Sequence, residues 1–438
     1  MLFRSAALLA ALATMSHAQE MVPATLAGHA VIPANTMSAP PADAPRAMWI
    51  SGKFTGDARN EQPMSHMRPS GLALPFLGQP FQGISGYAAE RTPDGDLVAL
   101  IDNGFGSKLN SPDAMLGYTI LRPDFDAGHV EIVERIWLHD PDRVVPFVIA
   151  NEASESRYLT GGDFDLESIQ VVGDELWIGE EFGPYLIRAT LDGRVTGVFP
   201  TLLDGAEQRS PDHPALRIPA VAGTDFTVPR SGGYEGMALG PDGTLWAMLE
   251  KPLIAEGGES EGDFLRVIAF DPAAGDWTGG SFKFALTDGA VAIGDFNFID
   301  DTRALVIERD GGQGDPSLAC AEGQTEGCFE RPAQVKRITL IDTAQIDDDG
   351  FVARLRQIDL MDIADPDGMN RMETSADRDL SGVFTFPFVT IESVIRDGDE
   401  HIIVGNDNNL PFSIGRKLGT ADANETIRLH VPALLAAE

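Results

Sequence analysis

Five segments of the chain carry one strand–turn–strand pattern, and this recurrence restricts the fold more than any other feature. They are GISGYAAERTPDGDLVALIDNGFG (83–106), FDLESIQVVGDELWIGEEFGPYL (164–186), GYEGMALGPDGTLWAMLEKPL (233–253), GDFNFIDDTRALVIERDGG (294–312) and TIESVIRDGDEHIIVGNDNNLP (390–411). In each, a polar or acidic residue opens a short apolar strand, a tight turn follows, and a second strand ends on another charged residue. The turns, among them Asp94-Gly95, Gly173-Asp174, Asp242-Gly243 and Asp397-Gly398, are built from the residues that hairpins favour. From the first aliphatic residue of the second strand, five positions lead to the closing acid in four copies: Leu97 to Asp102, Leu176 to Glu181, Leu245 to Glu250 and Ile402 to Asp407. In the remaining copy the same count from Ala304 reaches Arg309, with Glu308 one earlier. A one-residue slip changes the face of a strand, so Glu308 and Arg309 are both candidates there.

Most copies are followed by two further strand-like runs, as in YLIRATLDGRVTGVF or VKRITLIDTAQ with FVARLRQIDL, which makes units of four strands. Amphipathic helical windows are scarce, so the class is all-β. Four-stranded units repeating along one chain describe a β-propeller, in which equivalent strand ends gather around a central channel. The anchors Ser85, Glu167, Glu235 and Glu392 lie 82, 68 and 157 residues apart. These intervals exceed the usual repeat of about 40–50 residues, so insertions or cryptic blades are expected. Six blades are expected, with five to seven allowed, in a single domain over residues 48–438, and the strand from Met48 to Phe54 is a candidate to close the ring.

Residues 1–18 read as a signal peptide, with Arg4, an apolar run from Ala6 to Ala13, and Ser16-His17-Ala18 as cleavage site. No later segment is long and apolar enough to span a bilayer. The expectation is a periplasmic or secreted monomer whose residues 19–47, rich in Ala, Pro and Thr, form a loosely ordered arm. Export agrees with the two cysteines, Cys320 and Cys328 in CAEGQTEGC, which are expected to form a disulfide. The chain has 32 basic against 67 acidic side chains, a formal charge of −35. Such a field excludes nucleic acid as a partner class and means that an anionic ligand needs local cations.

Where the units converge, the opening acids Glu167, Glu235 and Glu392 and the closing acids Asp102, Glu181, Glu250, Glu308 and Asp407 would share one mouth. Two like charges 4 Å apart cost roughly 4 kcal/mol at an effective dielectric near 20, so a cluster calls for hard cations. Calcium fits an all-oxygen set, with amide oxygens from loops such as Asn406 to Asn409, whereas no repeat supplies a histidine for zinc. The histidines, His66, His129 and His213 among them, show no ligand spacing and read as surface residues. Lys251, Arg309 and Arg416 lie beside the acids and are candidates to hold an anionic substrate. There is no G-x-S-x-G elbow, no H-E-x-x-H and no phosphate-binding loop.

Taken together, DNGFG (102–106), DLES (165–168), GEEFGPYL (179–186), GYEGMALGPDGTLW (233–246), IERD (307–310), TIESV (390–394) and GNDNN (405–409) resemble the bacterial phytase-like family, described by its esterase-like activity of phytase. The resemblance implies an exported propeller that hydrolyses phosphoric or related esters of small molecules with calcium. Carried over motif by motif, its site would contain Asp102, Glu167, Glu181, Glu235, Glu250, Glu308, Arg309, Glu392 and Asp407. Catalysis would fall to Glu181, Glu308, Arg309 and Lys251. Glu180 departs from the pattern, since the family commonly has Asp there. A lactonase or carboxylic-ester hydrolase, and a non-enzymatic envelope scaffold with structural calcium, are the alternatives.

Overall fold

A computed structural model describes residues 19–55, 58–59, 70–102, 104–216, 226–255, 257–374 and 382–436. The proposed signal peptide lies outside them. Each of the five repeats is the inner strand pair of an antiparallel four-stranded unit, to the fourth of which Glu20–Met21 adds a short parallel edge strand. The first sheet runs through Ile84–Tyr87, Leu97–Ile101, Gly117–Asp124 and His129–Trp137. Leu166–Val172 to Val195–Pro200 form the second, Tyr234–Leu239 to Asp276–Ala285 the third, and Ala292–Phe298 to Val352–Asp359 the fourth. The fifth combines Thr390–Asp397, His401–Asp407 and Asn424–His430 with Thr25–Ile32 from near the start of the chain.

The innermost strands touch in a closed cycle, first to second, second to third, and so on until the fifth meets the first. This is a β-propeller. Among the described residues five four-stranded units form the cycle, the lower end of the expected five to seven, and the long intervals between repeats are outer strands and loops. Apolar packing follows the same cycle, because both faces of a blade are covered by its neighbours. Val98 and Leu100 pack against Ile169 and Ile178 between the first two blades, Trp177 and Leu186 against Tyr234 and Met237 between the next two, and Val267 and Phe282 against Phe296 and Val306 beyond them. Ile307 and Ile338 then meet Ile391 and Val404, and Ile395 and Ile403 meet Ile84 and Ala99 to complete the circle.

The N-terminal segment corrects two expectations. Residues 19–47 are not a loose arm, for Thr25–Ile32 pairs along its length with Asn424–His430, from Thr25 opposite His430 to Ile32 opposite Asn424. Nor does the stretch from Met48 to Phe54 close the ring, since Ile50–Ser51 pairs with Phe76–Leu77 instead. TLAGHAVI is a weak strand signal by composition, but Gly28 is placed by packing: a Cβ there would lie 2.7 Å from the Phe125 ring.

Closure also buries charge. Arg416 donates through Nε and Nη2 to the two oxygens of Glu425, at 2.9 and 2.6 Å, and His29 Nε2 lies 3.0 Å from Glu425 Oε2. The guanidinium is covered by Phe384 and Phe388. Burial pushes the Glu425 carboxyl upward, yet Arg416 and His29 hold it at about 2. Arg416 is therefore a structural partner of the closing strand and not a substrate ligand. Cys320 and Cys328 form the expected disulfide, and no described helix is long and apolar enough to cross a membrane. Replacing Arg416 by Ala, which leaves Glu425 buried beside a single His, is expected to lower the unfolding free energy by about 3–5 kcal/mol in denaturant titrations. A loss below about 1 kcal/mol would mean that the pair does not hold the ring closed.

Candidate metal centre

A β-bulge recurs at one position of every inner strand. Ladder pairing skips Ser85, Glu167, Glu235, Gly294 and Glu392 in the five blades, leaving each without a partner residue. A bulge re-aims the extra side chain, and here it directs three glutamates into the central channel. The same registers settle the fourth repeat. Ile84 pairs with Ile101, Leu166 with Glu180, Tyr234 with Leu249, Ile293 with Glu308 and Ile391 with Asn406. The residue after each of these is Asp102, Glu181, Glu250, Arg309 and Asp407, so Arg309 is the equivalent of the closing acids and the five-residue count holds in all five copies.

Glu308 points away from the channel. It is fully buried and accepts from Thr287 N at 2.5 Å, Arg354 Nη2 at 2.7 Å and Gln357 Nε2 at 3.1 Å within its own blade. Its expected metal and catalytic roles are thereby corrected. Glu180, at the equivalent position of the second blade, likewise serves the backbone, accepting from Phe182, Gly183 and Tyr185 N at 2.7–2.8 Å. Of the other expected residues, His129 is exposed, His213 is buried with Nε2 2.8 Å from the Tyr185 hydroxyl, and His66 lies outside the described residues.

The channel mouth is a cavity of about 160 Å³ lined by eight carboxylates: Asp102, Asp165, Glu167, Glu181, Glu235, Glu250, Glu392 and Asp407, with Arg309, Ser231, Thr390 and Asn409. Below it the channel is plugged. Gln170 Nε2 donates to Met237 O at 2.6 Å and to Asn297 Oδ1 at 2.7 Å, while Asn297 Nδ2 donates to Tyr87 O at 3.2 Å and Val394 O at 3.0 Å. Two amides thus tie together the inner strands of all five blades under the carboxylates. Close packing shapes the walls: a Cβ on Gly83 would overlap Asp407 Oδ1 at 1.4 Å, so only glycine leaves that carboxylate its place.

Two groups of three can each hold a cation. Ligand oxygens of Asp102, Asp165 and Glu167 lie within 4.8 Å of one another, and those of Glu181, Glu235 and Glu250 do the same. Asp165 Oδ1 and Glu181 Oε1 are buried without a hydrogen-bond partner among the described residues, the state of oxygens shaped for a ligand. All donors are oxygens, which suits a hard divalent ion. Glu392 and Asp407 line the same cavity outside both groups. The only guanidinium in the lining, Arg309, donates from Nη2 to Glu235 Oε1 at 2.9 Å, Glu250 Oε1 at 3.0 Å and Glu392 Oε1 at 3.5 Å. Lys251 sits at the rim, 2.9 Å from Glu250 Oε2. Asp165 escaped the reading of the repeats because its position is Gly83, Gly233, Ala292 or Thr390 in the other copies; an acid where the other copies carry small residues was the available signal.

Burial pushes the carboxyls of Asp165, Glu167, Glu181, Glu392 and Asp407 well above the usual range. Neighbouring carboxylates push further, Asp102 acting on Asp165 and Asp407, and Glu250 on Glu181. Glu235 rises to about 7, through burial and then Glu250, with Arg309 pulling back. Even so, Arg309 stays firmly charged, because the carboxylates around it outweigh its burial.

The family model described as Phytase-like, esterase-like activity of phytase, matches residues 79–410. No curated protein matches the chain. Among solved structures it is similar to a luciferin-regenerating enzyme at 11% identity, covering 81% of this chain and 79% of that one, with a TM-score of 0.36. It is similar also to the GH43 endo-arabinanase from Bacillus licheniformis, at 10% identity, 79% and 94% coverage and a TM-score of 0.36. For the glutaminyl cyclase of Myxococcus xanthus the values are 9%, 80% and 92%, and 0.35.

Carboxyls whose pKa is raised on folding stabilise the fold below their unfolded pKa, and that contribution is lost as pH rises through the folded value. With Glu235 moving from 4.5 to about 7 and its neighbours upward as well, the melting temperature in chelator should fall between about pH 5 and pH 8. A chelated protein whose melting temperature climbs over that window would contradict a shared buried cluster.

Proposed function

The chain belongs to the phytase-like family, and on that premise we propose that it is an exported, calcium-assisted hydrolase of phosphoric esters. One observation carries this reading: two triads of buried or half-buried carboxylates, each with an oxygen that has no hydrogen-bond partner among the described residues, face one small cavity that also holds Arg309. The donor set fits calcium, with Asp102, Asp165 and Glu167 as one site and Glu181, Glu235 and Glu250 as the other. Bound there, the ions would polarise the ester, lower the pKa of an attacking water and neutralise charge that grows in the transition state.

The chain's own groups divide the remaining work. Glu392 lines the cavity outside both triads, and burial with Glu235 and Asp407 beside it raises its carboxyl well above the usual range, so it is the carboxylate left to act as general base. Arg309 and Lys251 are the cations available to an anionic substrate, Arg309 from the wall and Lys251 from the rim. The amide plug beneath keeps water and substrate to one mouth. Export is supported by the disulfide and by the reading of residues 1–18. A carboxylic-ester or lactone substrate is the second reading, favoured by the esterase-like activity in the family's description.

Purified protein assayed with a model phosphate monoester, a phosphodiester and an acetate ester, with calcium and with chelator, separates these readings. Calcium-dependent turnover of a phosphoric ester is expected. Turnover of the acetate alone would replace the phosphatase reading by the second, and calcium stabilisation without turnover of any ester would make the propeller a scaffold. Asp165→Asn and Glu181→Gln should weaken calcium binding by about tenfold or more. Glu392→Gln should instead lower kcat by ~10²-fold or more with calcium affinity preserved; equal loss of calcium binding in all three would remove Glu392 from its role as base.

A further inference from the structure

The two triads differ in what already occupies them. Glu250 Oε1 accepts from Arg309, its Oε2 lies 2.9 Å from Lys251 Nζ as an ion pair with no hydrogen bond among the described residues, and Arg309 also holds Glu235. The second triad is therefore partly neutralised from within. In the first, Asp165 and Glu167 form no ion pair with Lys or Arg among the described residues, and Asp165 Oδ1 stands unpartnered.

The pose of Arg309 is also poorly matched to its partners. Nη2 carries two N–H groups yet faces three carboxylate oxygens, at 2.9, 3.0 and 3.5 Å, while Nε is buried with no hydrogen-bond partner among the described residues. A guanidinium binds best through its planar fork, with Nε and one Nη, or both Nη groups, parallel to two oxygens of one anion. Here three monodentate contacts replace the fork, so a tetrahedral oxyanion offering two oxygens would use donors that the carboxylates leave idle. The fourth blade, with Gly294 for an opening acid and Arg309 for a closing one, thus puts a cation where the other four blades carry closing acids.

Resting on the calcium-hydrolase reading above, we propose that Arg309 acts as a displaceable internal cation: an ion entering the Glu181, Glu235 and Glu250 triad competes with it, and the released guanidinium anchors the substrate's oxyanion. Metal at this triad and anion at Arg309 then bind synergistically, because each removes what opposes the other. Arg309 forms its ion pairs with Glu235, Glu250 and Glu392 and with no member of the first triad among the described residues, so an ion entering that triad does not compete for it. Free-energy linkage requires the effect to be reciprocal, phosphate tightening calcium by the factor by which calcium tightens phosphate.

Calorimetric calcium titrations of the purified protein, with and without inorganic phosphate, test this. Two classes of calcium site are expected, and phosphate should tighten the weaker by about tenfold while moving the tighter by less than about twofold. In Arg309→Gln, the weaker class should tighten in the absence of phosphate, since its competitor is gone, and the phosphate effect should vanish. Two classes indifferent to phosphate in the wild-type protein would overturn the coupling and leave the calcium site standing, a result that needs no variant to fold. Phosphate linkage undiminished in Arg309→Gln would assign it to another group. No calcium binding at all would instead overturn the reading on which the proposal rests.

Discussion

Mutual repulsion among eight carboxylates in one small cavity is the constraint to which the rest of this propeller answers. At an effective dielectric near 20, each close pair costs roughly 4 kcal/mol, and the sum would exceed the stability of an ordinary domain if all were ionised together. The chain answers in three ways: protonation, since burial and neighbours raise the carboxyls; an internal cation, Arg309; and mechanical resistance. The last comes from apolar packing between every pair of blades and from Gln170 and Asn297, which clamp the five inner strands immediately below the charges. A cluster that opposes folding is thus carried by a scaffold with hydrogen-bonded ties between all five blades directly under it.

The bulge is the device that makes such a site from a plain repeat. Regular pairing would alternate side chains strictly between the two faces of a blade, both of which are committed to apolar packing. One extra residue per inner strand turns Glu167, Glu235 and Glu392 out of that packing and toward the axis. The same device in the first and fourth blades presents Ser85 and Gly294, so the ring is charged unevenly and Arg309 faces the most acidic side. Five-fold architecture with non-equivalent chemistry at each position is what sets two carboxylate triads, a guanidinium and further carboxylates side by side in one cavity.

These features were legible in the sequence in proportion to how local their causes are. The five hairpins could be read because turn residues and a five-residue count lie within about twenty consecutive positions. Asp102, Glu181, Glu250 and Asp407 came from that count and do meet at one cavity. The count along 304–309 reached Arg309, and Glu308 stayed beside it as a candidate only because an acid was expected there; the bulge at Gly294 on the partner strand, which fixes the register, decides for Arg309. Arg416 looked like a free cation in an acidic chain, while its partner Glu425 and covers Phe384 and Phe388 are reached only through the fold. The closing strand was missed for the same reason: Thr25–Ile32 is made a strand by Asn424–His430, some four hundred residues away, and by the Phe125 ring that requires Gly28.

Closure and site assembly are consequently one event. The blade bearing Glu392 and Asp407 is completed by the N-terminal strand, and only in the closed ring does Asp407 lie against Gly83 and near Asp102 of the first blade. An open ring would keep the acids of its first and last blades apart and feel little of their repulsion, so part of the electrostatic cost belongs to closure itself. The Arg416–Glu425–His29 cluster opposes that cost at the seam, where a latch acts directly on closure. A cation that binds the assembled carboxylates and not the open chain adds to the latch by mass action. Ligand affinity at the mouth and the stability of the seam therefore draw on the same free energy, and each strengthens when the other does.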